Sequence, residues 1–478
     1  MSSARLNYGK TFLLGFGFFG VSVIWGVYNA FVPIFLADKF DLSPALIGFF
    51  MTLDNIAALF IQPPVGAWSD KLRSPMGRRI PFILIGAPIT AVAFGLIPIA
   101  AILPLFVACT STLLLSAALW RTPVVALMPD ITPSEFRSQA NGIINFMGGI
   151  GTIIALQTGG ILYKMNPNFP FWLGSGLVLI AALIVYLFIE EPKEYEMSEA
   201  QPGMLASLKE VFTDPDKSGL RILLAIFFWF LGFSAVETFF TLYAKNHLGL
   251  DAGDGATLLS VLPLFFVLAA IPSGYVAGKL GRKTTISIGL ITITIMLVLL
   301  YITPAEALLT GIAPLPLVGI PLVEGGARML TLAGVLLILG GIGWAFININ
   351  SLPMIVDLTS AARIGTFTGL YYLFSTLSAI VGPNMNGWAV QLTNGNYNII
   401  MLIAPFFMMV AFGLMMGVKT RVQVMASRVC CVVARAAMVR GTCVVRTATG
   451  SFPTAGATMS VFVLCAWWLL FLHKYFGF

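Results

Sequence analysis

The chain has 478 residues, of which 58% are hydrophobic and only 10% charged, with a formal net charge of +7 and a mean hydropathy of +0.93. A soluble chain of this length would carry about 25% charged residues on its surface, so a water-soluble globular protein is excluded. The excess positive charge is scattered over short polar turns, a pattern that faces anionic lipid and sets topology and does not bind nucleic acid.

A spanning helix needs about 20 mostly apolar residues. On that basis runs near 11–36, 45–67, 80–103, 105–128, 139–163 and 169–189 form a first set of six. The N-terminal run is too long for a signal peptide and lacks a small-residue cleavage site, so it counts as the first span. Residues 190–218 open with Glu190, Glu191, Glu194, Glu196 and Glu199 and read as a central cytoplasmic linker. Six further runs follow near 219–245, 256–277, 284–303, 330–356, 366–391 and 397–418, with 304–329 expected as a long loop lying on the membrane surface. The expected organisation is thus an N-terminal half (1–189), a linker (190–218), a C-terminal half (219–420) and an atypical basic tail (421–478). The tail has no Asp or Glu, holds four of the five cysteines, and ends in a run that could form a short extra membrane segment. Cys109 lies mid-membrane, and no His/Cys cluster has metal spacing, so no metal and no cofactor are expected.

The turn from Gly66 to Phe82 fixes the orientation. It packs Lys71, Arg73, Arg78 and Arg79 with Asp70 between two apolar runs, and dense Lys/Arg in a short loop marks the cytoplasmic side. The same side collects Arg5, Lys10, Arg137, Lys193, Lys209, Lys217, Arg221, Lys279, Arg282, Lys283 and Arg363, against Lys39, Lys164, Lys245 and Arg328 on the other. The expectation is a multi-pass cell-membrane protein with a cytoplasmic N-terminus.

The two halves repeat. Gly66-x-x-x-Asp70-Lys71, closing on Gly77-Arg78-Arg79, recurs as Gly274-x-x-x-Gly278-Lys279, closing on Gly281-Arg282-Lys283, an offset of 208 residues from Gly66 to Gly274. Asp130-Ile-Thr recurs as Asp357-Leu-Thr, and Gly142 as Gly369, both at an offset of 227. Two parallel six-helix repeats are the arrangement of transporters that rock around a midplane site. Over residues 1 to about 420 the chain resembles the major facilitator superfamily, whose signature is this doubled turn. Gln62-Pro63-Pro64-Val65-Gly66, Ser69-Asp70 and Gly77-Arg78-Arg79-Ile80-Pro81-Phe82 resemble the sucrose:proton symporters. Pro123-x-x-Ala126-Leu127-Met128-Pro129-Asp130-Ile131-Thr132 is similar to the glycoside–pentoside–hexuronide:cation symporters. The resemblance implies an all-α membrane protein of twelve transmembrane helices in two six-helix repeats. It also implies a gate formed by Gly66, Asp70, Arg78, Arg79, Asp130, Arg282 and Asp357, with Asp70 capping the start of the eleventh helix and Arg78 or Arg79 pairing with Asp130. The arginine that the plant carriers place after the Pro-x of helix four is replaced here by Val125, the nearby cation being Arg121.

A charge inside a bilayer is costly and faces a polar cavity or a partner. Asp54, Arg121 and Glu237 are embedded charges in helices two, four and seven. They are candidates for substrate binding, with Asp54 and Glu237 as cation-coupling groups; the competing reading is a static Asp54–Arg121 pair within the N-half. The offset of 208 carries Glu237 onto Asn29. Asn29, Asn55, Gln157, Asn348 and Asn384, with Asn350 and Asn386, add hydrogen-bonding groups in membrane runs, though amides also glue helices together. Trp25, Tyr28, Trp120, Trp229, Trp344, Tyr371, Tyr372 and Trp388 offer rings on which sugar C–H faces can pack, or serve ordinary helix packing. Trp229 and Trp344 are the favoured ring ligands, and Gly382-Pro383 is expected to interrupt helix eleven beside Asn384. The functional expectation is a monomeric secondary transporter coupling H+ or Na+ to symport of a glycoside, with no nucleotide motif and no catalytic constellation. Export of amphipathic small molecules, and a non-transporting receptor, are the alternatives.

Overall fold

The computed structural model describes residues 7–132, 136–191, 204–213, 216–316, 319–321, 326–358 and 364–419. The tail from 421, most of the acidic stretch after Glu191, and Arg363 lie outside them.

The first half comprises α1 (Tyr8–Asp38), α2 (Pro44–Phe50), α3 (Leu53–Lys71), α4 (Ile80–Leu96), α5 (Leu103–Ile131), α6 (Arg137–Met165) and α7 (Phe169–Phe188). After a short α8 (Met204–Thr213), the second half comprises α9 (Ser218–Asn246), α10 (Ala252–Leu259), α11 (Val261–Leu280), α12 (Arg282–Ile302), a one-turn α13 (Ala305–Leu308), α14 (Leu332–Leu358), α15 (Ile364–Leu392) and α16 (Ile399–Met416). Because α2 and α3, and α10 and α11, are two pieces of one span, the count is twelve spans in two sets of six. Among the described residues ten of these are long and apolar enough to cross a bilayer, α4 is a shorter apolar helix, and α15 is the more polar remainder. Large apolar side chains such as Phe60, Ile271 and Leu392 stay exposed on the sides, as a lipid-facing surface requires.

Three features depart from the sequence reading. The second and eighth spans are each broken, at Met51–Thr52 and at Ser260. Pro63, Pro64 and Pro272 sit inside continuous helix, whereas Pro263 stands in the first turn of α11, where it has no amide to give the Leu259 carbonyl and so helps to part the eighth span. Thr52 and Ser260 are separated by 208 residues, and each hydroxyl donates to the carbonyl three residues back, Phe49 at 2.7 Å and Thr257 at 2.6 Å. A side chain that takes a local carbonyl in this way competes with the helical ladder and bends it.

The expected interruption of the eleventh span does not occur: α15 runs through Gly382 and Pro383 to Leu392. Pro383 removes one amide donor, which a packed membrane helix tolerates. Gly382 lets α9 approach, since a Cβ there would lie 2.6 Å from Ser234 Oγ and 2.8 Å from the Leu231 carbonyl oxygen. These residues are a packing point.

The loop after the ninth span is a small three-stranded antiparallel sheet, β1 (Gly311–Pro314), β2 (Ile320–Pro321) and β3 (Arg328–Thr331), ordered β1-β3-β2. Gly311 pairs with Thr331 and Ile320 with Met329, and β3 leads directly into α14. Alternation of half-buried and exposed residues along β1 is the strand period that the Pro/Gly content had masked.

Candidate substrate cavity and gates

The gate residues at the basic turn form a charge network. Arg79 is 4% exposed and donates through Nε to Asp130 Oδ2 at 3.0 Å and through Nη2 to Asp70 Oδ1 at 2.5 Å, with a further bond from Nη1 to Ser69 Oγ. Arg78 Nη2 donates to Asp130 Oδ1 at 2.7 Å, and its Nη1 lies 3.8 Å from Asp70. The turn thereby ties the end of α3 to the end of α5. Asp70 accepts from these two arginines, and the start of the eleventh span, which it was expected to cap, borders on residues outside the described ones. A residue the sequence reading had left in the linker does cap a helix start. Glu191, just past α7, accepts the backbone amides of Arg78, Arg79 and Ile80 at 2.7 Å each, at the start of α4. Those amides have no partner within the helix, and a carboxylate there also complements the helix dipole. Gly77 makes room: its φ is +101°, and a Cβ would sit 2.5 Å from the Glu191 carboxyl carbon.

The second repeat uses the opposite polarity at the same place. Lys283 Nζ donates to the carbonyls of Met416 and Val418 at 2.9 Å, and Val418 stands 227 residues after Glu191. Arg282 donates to the Pro353 carbonyl at 3.1 Å. The Asp357 side chain lies outside the described residues. Gly66 packs loosely, 3.5 Å from the Thr122 methyl to the position of a Cβ.

In the interior, Asn29 of α1 donates to Glu237 of α9 at 3.5 Å. These are equivalent positions of the two repeats. Two equivalent residues can touch only where the axis relating the halves passes between them, so this bond lies on that axis. Glu237 is nonetheless exposed, so the space beside it is open. Asp54 accepts from Asn55 at 2.8 Å and feels the charges of both Arg121 and Glu237. Arg121 also lies within electrostatic range of Tyr372 of α15. Among the described residues Asp54 and Arg121 make no direct ion pair, so the static-pair reading has no geometric support. The three charges share one polar space, and each is left able to take a ligand.

An aromatic cluster of the second half includes Phe233, one helical turn before Glu237 on α9. Phe233 stacks on Trp344 at 3.6 Å between centroids and 1° between planes, Phe230 meets both Trp344 and Tyr371 edge-on, and Tyr371 hydrogen-bonds Ser351 at 3.1 Å. Tyr372 meets Tyr371 edge-on and remains exposed. Phe230 and Phe233 were not singled out from sequence, where a Phe-rich helix reads as packing. Other expected ligands are placed differently. Trp229 is fully enclosed and offers no surface in this conformation, as are Tyr28 and Trp120. Asn384 donates to Thr52 Oγ1 at 3.1 Å and to the Ile380 carbonyl at 2.8 Å, joining α15 to the break in the second span. Asn348 is half-buried, and the Nε2 of Gln157 is buried without a partner.

The seams between the halves differ at their two ends. At the end away from the basic turn, a Cβ on Gly48 would run into the Pro383 carbonyl, one on Gly387 into the Pro44 carbonyl, and one on Gly160 into the Gly253 carbonyl. Backbones touch there. At the basic end Gly142, Gly274, Gly278 and Gly369 have nothing within 4 Å of a Cβ position.

Over 225 residues the chain is 25% identical to Multidrug resistance protein 1 of Bacillus subtilis (strain 168), covering 47% of this chain and 56% of that protein. Over 282 residues it is 26% identical to Multidrug resistance protein 2 of the same organism, covering 58% and 67%. The chain thus spans only a little over half to two thirds of these relatives' length. Among solved structures, the nucleoside transporter NupG superposes with a TM-score of 0.63 at 16% identity over 87% of this chain and 100% of that one. An inward-facing, unoccupied bacterial homologue of the human lysosomal transporter Spinster gives 0.66 at 14% over 86% and 97%. At such identities the likeness shows the fold alone. The sequence pattern of one family matches residues 14–383, most of the chain. With two six-helix halves around a central group of polar side chains, this chain belongs to the Major Facilitator Superfamily.

Proposed function

We propose that the protein is a cation-coupled secondary transporter that moves a small polyhydroxylated solute, a glycoside or disaccharide, by alternating access, with the basic turn on the cytoplasmic side of the cell membrane. The observation that carries this reading is the Asn29–Glu237 contact between equivalent positions of the repeats, near Asp54 and Arg121, with the Phe233–Trp344 stack one helical turn along α9. Amide and carboxylate groups supply the directional hydrogen bonds that hydroxyls need, and rings supply the flat apolar face. Glu237 or Asp54 carries the coupling cation. Glu237 is the first choice, because Arg121 acts on Asp54, whereas the side chain bonded to Glu237 is the neutral amide of Asn29. Residues 1–189 and 219–420 rock as units about this site as a monomer, and the arrangement with the seams away from the basic turn in backbone contact is one of the two end states.

Uptake into proteoliposomes of a panel of sugars, with and without a pH or Na+ gradient, tests the proposal. Glu237→Gln is expected to retain counterflow exchange and to lose accumulation against a gradient. Normal accumulation by both Glu237→Gln and Asp54→Asn would refute the coupling assignment. Export of amphipathic compounds is the second reading. It is favoured by the aromatic cluster and by relatives named as multidrug resistance proteins, and gradient-driven extrusion of a lipophilic cation without sugar uptake would select it.

A further inference from the structure

We infer that Lys164, Asp251 and Asp254 form an ionic latch that holds the outer ends of the two halves together, and that Gln391 with Ala45 is its uncharged counterpart in the other seam. The repeat arithmetic identifies the counterparts. An offset of 227 carries Gly160 onto Gly387, Lys164 onto Gln391 and Gln157 onto Asn384, while 208 carries Ala45 onto Gly253 and Thr52 onto Ser260. The α6–α10 seam and the α15–α2 seam are therefore the same contact made twice.

The glycine contacts obey this equivalence. Gly160 lies against the Gly253 carbonyl, and Gly387 against the Pro44 carbonyl, so both seams bring backbones together at one depth. The side chains do not obey it. In the α15–α2 seam the Gln391 carbonyl oxygen accepts the Ala45 amide at 3.3 Å, and Asn384 donates to Thr52 at 3.1 Å. In the α6–α10 seam Lys164 Nζ reaches Asp251 Oδ2 at 3.1 Å and also bonds Asp254 Oδ2. Ser260 spends its hydroxyl on Thr257, and the Gln157 Nε2 stays unpaired. One seam is thus held by neutral hydrogen bonds and the other by charge.

Lys164 is on the first half and both aspartates are on the second, so the two half-molecules cannot part at this end without breaking these bonds. The Asp254 side chain is only 10% exposed, which limits the water available to replace the lysine. Asp251 is held in place independently, since it caps α10 by accepting the Asp254 amide at 2.9 Å. The facing charged groups are Asp38 and Lys245, which pair with each other across α1 and α9 at the same end and provide a smaller, more exposed second tie. Repulsive and attractive charges across a seam set the balance between two states in proportion to their differential contact. This latch exists in one state only.

The test needs no substrate, so its failure is separate from that of the proposed function. Spin labels on cysteines at Met165 and Asn246, in an otherwise cysteine-free chain in nanodiscs, report the separation of the two halves at this end by pulsed electron resonance. The parent chain is expected to populate the short distance. Lys164→Gln is expected to raise the ratio of long to short distances about fivefold, the scale of a partly buried ion pair. Asp251→Asn, which leaves Asp254 in place, should raise it about twofold, and the pair Lys164→Asp with Asp254→Lys should return it to the parent value. Gln391→Ala should change it less than Lys164→Gln does. An unchanged distribution for both Lys164→Gln and Asp251→Asn, or an equal shift from Gln391→Ala, would overturn the inference.

Discussion

Gly77→Ala should destabilise the protein more than Gly281→Ala, although the two glycines hold equivalent places in the repeated turn. Both have positive φ, +101° and +85°, where an L side chain costs about 1–2 kcal/mol. At Gly281 nothing lies within 4 Å of the new Cβ, so backbone strain is the whole effect. At Gly77 the Cβ would stand 2.5 Å from the Glu191 carboxyl carbon and 2.6 Å from Oε2, which forces the carboxylate off the three amides it caps. Losing a helix cap costs about 0.5–2 kcal/mol, because the freed amides lie near the membrane surface and can turn to water. The expected totals are therefore about 1.5–4 kcal/mol for Gly77→Ala and about 1–2 kcal/mol for Gly281→Ala. Denaturant unfolding of purified protein in detergent measures the difference. Glu191→Ala supplies the cycle: in its background, Gly77→Ala should cost no more than Gly281→Ala. If Gly77→Ala is the milder change, or if removing Glu191 leaves the gap intact, the capping argument is wrong.

Asp130→Asn should reduce expression and thermal stability more than Asp70→Asn, since Asp130 answers both Arg78 and the buried Arg79 at 3.0 Å or less, whereas Asp70 is 55% exposed; equal effects in a fluorescence-detected melting assay would contradict this. Asp70→Ala and Arg78→Ala should slow transport while leaving substrate affinity in purified protein nearly intact, and binding lost in parallel would count against a gate role. Gly160→Val and Gly387→Val should both leave a folded protein whose halves stand apart at the end away from the basic turn, because each new side chain meets a carbonyl across the seam; labelling of a cysteine placed at Thr257, which is 1% exposed, should accelerate several-fold. A chain ending at residue 424 should fold and transport as the full one does, since the tail continues neither repeat; a large fall in yield or melting temperature would show otherwise.

Composition and the doubled turn carry the class, the twelve spans and the repeat, because bilayer insertion acts on segment length and hydropathy, which are linear properties of the chain. The Asn29–Glu237 pairing was also legible, as an offset of 208, though only the folded molecule makes equivalence into contact. What sequence could not reveal are choices made between distant segments. Asp70 and Glu191 are both acids near the basic turn, and nothing local says that the second reaches the α4 amides while the first is taken by arginines. Lys164 reads as a topology marker until Asp251 and Asp254 are brought against it from 90 residues away. Pro383 looks like a helix breaker and is not one, while Thr52 looks harmless and sits at a break. Local propensity is a small term beside the packing of one helix on another, and in these places the packing decided.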